Sequence, residues 1–275
     1  MFVTTSTAHR KDSPMTTRPT TTTPSTTTPS TATPSTTKPS TATPSSTTTR
    51  AVPSTSSTRL LLVAGVVAGP IFVLTAGIQA LTREGFTLAH QPLSMLSLGD
   101  LGWIQITNFV LAGLLSLAFA AGVKRRLTSG PGHVWAPLLF AVFGIGLLIG
   151  GAFVPDPALG YPPGTPDEIP STMSAHALLH AVAPPLAFLA LVAACFVVAR
   201  RFSSEGRRTA AISTRVVAVA CLLLAIPVGP GFSWRLFLSI ALGFAWIAVL
   251  AAFLIRARAI DGRTIDGRTI DGENI

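Results

Sequence analysis

Residues 60–81 read LLLVAGVVAGPIFVLTAGIQAL, with Arg59 immediately before them and Arg83 just after. Nothing in the stretch is charged. At about 1.5 Å of rise per residue it is long enough to cross a hydrocarbon layer ~30 Å thick. A surface helix of a soluble protein would carry charge along one face, whereas here the apolar character runs all round. Its backbone groups must then bond within their own helix, as a membrane interior demands. Five further stretches share this character: Trp103–Val123, Val134–Val154, His176–Ala199, Ile212–Val228 and Trp234–Leu254. The fifth is the shortest. The sequence therefore predicts an all-α, polytopic membrane protein with six transmembrane helices, occupying residues 60–257.

Lys and Arg sort these spans by side. Six lie in the amino-terminal tail (Arg10, Lys11, Arg18, Lys38, Arg50, Arg59) and three follow the second span (Lys124, Arg125, Arg126). Five separate the fourth and fifth spans (Arg200, Arg201, Arg207, Arg208, Arg215), and four follow the sixth (Arg256, Arg258, Arg263, Arg268). Only Arg83 and Arg235 fall on the other three connections. The positive-inside rule then places both termini in the cytoplasm and predicts a multi-pass protein of a bacterial plasma membrane. Trp103, Trp135 and Trp234 stand at predicted span ends, where an amphipathic indole is favoured.

The net charge of +9 invites a nucleic-acid reading. The basic residues, however, are spread over helix ends without aromatic interleaving or a recognition motif. Membrane insertion and anionic headgroups account for them, so the expected partner is the lipid bilayer and not nucleic acid. Cys195 and Cys221 lie inside spans, far apart in sequence, and read as small buried apolar residues instead of a disulfide or metal pair.

The tails are different material. Residues 1–59 are dominated by Thr, Ser and Pro, with the unit TTTPS repeating between Thr21 and Ser45. So little apolar surface cannot offset the entropy of ordering, and the segment is expected to be disordered. Outside a cell such a composition suggests a glycosylated stalk; the charge rule favours a cytoplasmic tail that is dispensable or phosphorylated. No secretory signal opens the chain, so the first span is expected to serve as an uncleaved anchor. Residues 258–275 repeat Ile260-Asp261-Gly262-Arg263-Thr264 and are expected to form a flexible tail, too short in period for a solenoid.

Within the spans, Gly65 and Gly69, and Gly146 and Gly150, are spaced four apart. Small residues at that spacing let two helices approach closely, either inside the bundle or in a homo-oligomer. Pro70, Pro184 and Pro185 each remove a backbone donor and predict kinks. Asn108, with Gln105 and Thr107 nearby, is expected to link helices by hydrogen bonds. No acidic residue lies in the middle of a span, which counts against proton-coupled transport.

Sidedness gathers the remaining polar groups on one face. His90, Ser94 and Asp100 lie in the first outer connection, Asp156 opens the second, and His176 and His180 begin the fourth span. Histidines four apart on a helix share a face, the arrangement by which two imidazoles chelate one zinc. His90 would supply a third ligand and Asp156 a general base or fourth ligand, with Ser94 and Asp100 completing an outer polar cluster. The alternative is that these are interfacial histidines bonded to headgroups and neighbouring helices. Pro92 is placed to open a short helix in the first connection, and the five prolines between residues 156 and 173 predict a stiff second connection without regular structure.

The combination of HQPLSMLSLGDLGWIQITNF, FVPDPALGYPPGTP and HALLHAVAPPLAF resembles the bacterial membrane family called domain of unknown function 998, over approximately residues 60–256. The resemblance implies a six-helix integral membrane protein and no activity. It implies signature positions at His90, Pro92, Ser94, Asp100, Trp103, Asp156, His176 and His180. A more distant similarity is to the intramembrane zinc hydrolases of the ceramidase and adiponectin-receptor type, from which this chain departs in span number and motif order. Three functions stay open: a noncatalytic, interacting membrane protein; a metal-dependent hydrolase or lipid-modifying enzyme at the outer face; and a small-molecule transporter using the Pro-broken first and fourth spans.

Overall fold

A computed structural model describes the backbone of residues 55–229 and 231–268, with side chains between 56 and 257. Of the expected disordered tail at 1–59 only 55–59 are described, and they are helical; of the expected flexible tail at 258–275, 258–268 continue a helix; residues 1–54 and 269–275 lie outside the described residues. The fold is all-helical: α1 (Thr55–Thr82), α2 (Gly102–Arg126), α3 (Trp135–Ala152), α4 (Ala175–Ser204), α5 (Arg208–Leu224) and α6 (Phe232–Arg268). A short 3-10 helix, Leu93–Ser97, follows Pro92 in the first connection, as the sequence predicts. Five of the six, all but α5, are long and apolar enough to cross a membrane, giving a multi-pass architecture.

The predicted boundaries fail chiefly where proline intervenes. The sequence carries the third span to Val154, yet α3 ends at Ala152. It carries the fifth to Val228, yet α5 ends at Leu224. Pro155 and Pro227 lie just beyond these ends, and a proline drives the residue before it out of the helical region. At its other end α5 starts earlier than predicted, at Arg208 instead of Ile212. The result is a 17-residue helix, the shortest of the six. Arg207, just before it, lies beside the end of α4 and Phe253, while Leu222, at its far end, shares a cavity with the beginnings of α4 and α6.

Each helix packs on the next in the chain and α6 returns to α1, closing a ring. Aromatic side chains fill its centre. Phe72 meets Phe109 edge-on at 5.4 Å and stacks with Phe244 at 5.3 Å, and Phe119 meets Phe140 at 4.9 Å. The outside of the ring is also apolar: Leu74, Ile78, Leu81, Leu138, Ile145, Val216 and Val249 are all exposed. That distribution suits a hydrocarbon surround. Trp103, Trp135 and Trp234 are exposed at or near helix starts, while Trp246 is buried.

The glycine pairs are used within this bundle. A Cβ on Gly69 would stand 2.8 Å from Phe244 Cβ, and one on Gly146 only 2.3 Å from Ala187 Cβ, so these positions admit α6 against α1 and α4 against α3. Cys195 and Cys221 are free thiols, both buried.

Candidate functional site

The two connections at the histidine-bearing end fold over the bundle as a cap with its own small core. Phe86, Leu96, Leu98 and Tyr161 are buried together, with the rings of Phe86 and Tyr161 edge-on at 5.5 Å. Gln91 ties the cap laterally. Its Oε1 accepts from Thr87 N–H at 2.7 Å, and its Nε2 donates to Leu159 O at 2.7 Å in the second connection. Burial of Tyr161 pushes its hydroxyl pKa up from the ordinary phenol value.

Arg83 pins this cap to the helices. Its guanidinium donates to Leu101 O at 2.9 Å and to Gln79 Oε1 at 2.8 Å. Because a guanidinium only donates, it orients the Gln79 amide, whose Nε2 then donates to Gln105 Oε1 at 2.8 Å. Asn108 Nδ2 donates to Phe72 O at 3.0 Å, so Asn108 links α2 to α1 as its sequence context suggests. A directed chain of amides thus descends from the cap between α1 and α2. Gln105 Nε2, Asn108 Oδ1 and Ser97 Oγ are buried without a hydrogen-bond partner among the described residues.

The structure does not bring His90, His176 and His180 together around a metal. Among the described residues, no group of three or more His, Cys, Asp or Glu is placed to hold one. Each histidine instead has a partner of its own. His90 Nε2 lies 2.7 Å from Asp167 Oδ1, joining the two connections on the exposed face of the cap. His176 is exposed and packs against the Phe153 ring at 5.2 Å. His180 is buried, and its Nδ1 lies 2.7 Å from Phe153 O and 3.1 Å from Gly150 O, so that nitrogen carries the proton and donates to both. The physical reason is that the shared helix face of His176 and His180 runs along the end of α3, whose last carbonyls need donors.

Asp156 serves the start of α4. Its Oδ1 accepts from Ser174 Oγ at 2.7 Å and its Oδ2 from Ser174 N–H at 2.8 Å, while Ser174 Oγ accepts from Ala177 N–H at 3.1 Å as the helix cap. The backbone N–H of Ser174, followed by its hydroxyl, holds the Asp156 carboxyl below the usual carboxylate range. Asp100 is exposed at the entry to α2 and makes no hydrogen bond or ion pair among the described residues.

What the histidine end does hold is a cavity of about 670 Å³ beneath the cap. Phe72, Phe109 and Phe244 form its floor, Pro184 and Pro185 one wall, and Leu222 to Pro227 of the short fifth helix and its extension another. Leu189, Leu222 and Ile226 line it and remain exposed, so it opens to the surface between α4 and α5. Polar groups on the wall are few: His180, Ser94 and Ser233. With Nδ1 committed to the α3 carbonyls, His180 keeps Nε2 as an acceptor that no described residue occupies. Of the predicted outer cluster, then, Ser94 and His180 share this cavity.

Sequence reasoning misses Gln79, Ser233 and Asp167. Gln79 and Arg83 are four apart, a spacing that places them on one helix face, and this signal was available. Ser233 and Asp167 carry no local signature, because their roles depend on elements remote in sequence.

A family model described as Protein of unknown function (DUF998) matches residues 66–257. No curated protein and no solved structure matches the chain.

Proposed function

The chain belongs to the DUF998 family, and we propose that it is a noncatalytic membrane protein that takes a neutral, largely apolar lipid from the bilayer into the cavity beneath its cap. The observation that carries this reading is the cavity itself. A space of about 670 Å³ lies within the size range of ligand-binding clefts, with aromatic walls and a few polar groups to orient an occupant. Its mouth faces the apolar flank of the bundle. Among the described residues no Lys, Arg, Asp or Glu lines it, so a charged headgroup would be left unpaired there at high cost. An occupant with one hydroxyl could donate to His180 Nε2 and leave its chain against Phe72 and Phe244. A long-chain alcohol or a diacylglycerol has this chemistry.

The accompanying topology is six spans with both termini in the cytoplasm of a bacterial plasma membrane. The placing of Arg207 and Leu222, at the two ends of α5, in two different cavities and the crowding of Arg and Lys at one end of the bundle support it. Cysteines introduced singly at Asp100 and Ser204 test it: a membrane-impermeant maleimide added to intact cells labels the first and spares the second.

Occupancy is tested by native mass spectrometry of protein released from nanodiscs that contain diacylglycerol. A single bound neutral lipid is expected, lost when Ala181→Trp fills the cavity and weakened by His180→Leu. Equal retention in Ala181→Trp and the unchanged protein would overturn the reading. Metal content measured on the same sample tests the hydrolase alternative, in which His90, His176 and His180 hold zinc. Stoichiometric zinc that disappears in His176→Ala/His180→Ala would revive it.

A further inference from the structure

Gln105 Nε2, Asn108 Oδ1 and Ser97 Oγ are buried with no hydrogen-bond partner among the described residues. Each of these side chains belongs to a residue more than nine-tenths buried, and Gln105 is fully enclosed. They form one polar cluster. Gln105 and Asn108 stand one turn apart on α2, and Asn108 Nδ2 lies 3.3 Å from Gln105 Oε1. Ser97 ends the 3-10 helix against the start of α2, where Gly102, one turn before Gln105, leaves room for the Ser97 carbonyl. Arg83 ties the two parts together, with Nη1 3.5 Å from Leu98 O, beside Ser97, and Nη2 2.8 Å from Gln79 Oε1.

The direction of each amide is set from outside this pair, so turning a side chain over cannot satisfy the free atoms. A guanidinium only donates, so Gln79 presents Oε1 to Arg83 and Nε2 to Gln105. Gln105 must answer with Oε1, which leaves its Nε2 as a donor. A backbone carbonyl only accepts, so Asn108 gives Nδ2 to Phe72 O and keeps Oδ1 as an acceptor. Turning Gln105 over would set donor against donor at Gln79, and turning Asn108 over would set oxygen against oxygen at Phe72. An unmet donor, an unmet acceptor and a hydroxyl able to serve as either therefore share one buried seam.

We infer that the seam between α1, α2 and the 3-10 helix is a binding site for ordered water, which accepts from Gln105 Nε2, donates to Asn108 Oδ1 and bonds the Ser97 hydroxyl. The chemistry narrows the ligand to a small neutral group of both polarities. A cation would meet the Gln105 N–H and an anion the Asn108 oxygen, in each case a group of the wrong sign. Buried water characteristically makes about three hydrogen bonds to groups of this kind. Leaving all three unmet would cost more than immobilising the water that meets them. Water held there braces the cap, α1 and α2 at one point. Neither amide nor Ser97 lines the neutral-lipid cavity, so this site and the lipid reading stand or fall separately.

The test is a structure of the full chain crystallised from a lipidic mesophase, at a resolution that shows water, joined to melting temperatures of variants in one mild detergent. Water density is expected within about 3.2 Å of Gln105 Nε2 and of Asn108 Oδ1, and extending to Ser97 Oγ. Ser97→Ala gives the sign of the effect. Deleting a hydroxyl that is bonded to water removes a hydrogen bond and should lower the melting temperature by about 2–4 °C. Deleting one that is unpaired would remove a buried penalty and raise it. Asn108→Leu should abolish the density between the amides, and where that variant does not fold, Ser97→Ala still decides. Direct pairing of the free atoms, no density between the amides, or a melting temperature of Ser97→Ala equal to or above that of the unchanged protein would each overturn the assignment.

Discussion

His180 Nδ1 lies 2.7 Å from Phe153 O, and through this bond the start of α4 caps the end of α3. The same nitrogen reaches Gly150 O at 3.1 Å, so one imidazole serves two carbonyls of a helix terminus that α3 itself cannot satisfy. The ring is thus a structural donor on one edge and an open acceptor on the other.

His180→Ala is accordingly expected to lower stability by about 1–3 kcal/mol, the cost of leaving buried carbonyls unpaired. His180→Asn retains a short donor and should recover part of the loss. Unfolding of the purified protein in mild detergent, followed by circular dichroism, separates the two. Equal stability of His180→Ala and the unchanged protein would show that the carbonyls find water instead.

The amide chain between α1 and α2 should behave as a unit. Gln79→Leu alone leaves Gln105 Oε1 with only Asn108 Nδ2, at 3.3 Å, and Gln105→Leu alone leaves Gln79 Nε2 with only Thr75 O, at 3.2 Å, while the double variant removes both sides of their 2.8 Å contact. A double-mutant cycle should give a coupling of about 0.6–1.7 kcal/mol, the range for hydrogen bonds between membrane helices. Additive losses would mean that the two amides do not depend on each other.

Gly146 and Gly77 make a matched pair for testing helix approach. A methyl on Gly146 would meet Ala187 Cβ at 2.3 Å, whereas one on Gly77 has only Phe237 Cζ, at 3.8 Å. Gly146→Ala should cost about 1–3 kcal/mol by overpacking and Gly77→Ala little or nothing. Melting temperatures of both variants in one detergent check the contrast.

Asp156 gives the start of α4 a defined pH response. Its folded pKa is depressed below 3.8 by the Ser174 N–H, so its stabilising contribution is fully present above the ordinary carboxylate value. It is lost as pH falls through the lower folded value. The stability difference between the unchanged protein and Asp156→Asn should therefore be constant from neutral pH down to about 4 and shrink below that. A difference that shrinks between pH 6 and 8 would point to a histidine instead.

The spans were legible because their apolar character is long and uninterrupted, a property of the linear sequence. Pro227 carried the information that α5 stops early, but four apolar neighbours, Leu222 to Ala225, outweighed it in the composition of the stretch. His90, Ser94, Asp156, His176 and His180 all lie at one end of the bundle. Their partners were not legible. Histidines four apart suit a metal, yet the pair here flanks a helix end rich in unbonded carbonyls, and only the path of α3 reveals that. The arginines of the other end read as signs of sidedness, and the pairing of Arg201 and Arg207 with Glu205 is local to the end of α4.

The early end of α5 also sets a relation between the protein and the thickness of its surroundings. Seventeen residues rise about 25 Å, several Å short of a typical hydrocarbon layer, whereas the 30 residues of α4 rise about 45 Å. The flank formed by α5 is therefore the low side of the bundle rim. If α5 crosses the bilayer, as the proposed six-span topology has it, lipids beside it must shorten or tilt to meet the Leu222–Pro227 edge, while those beside α4 need not. Membranes of different thickness should thus press unequally on the two flanks of the same cavity mouth.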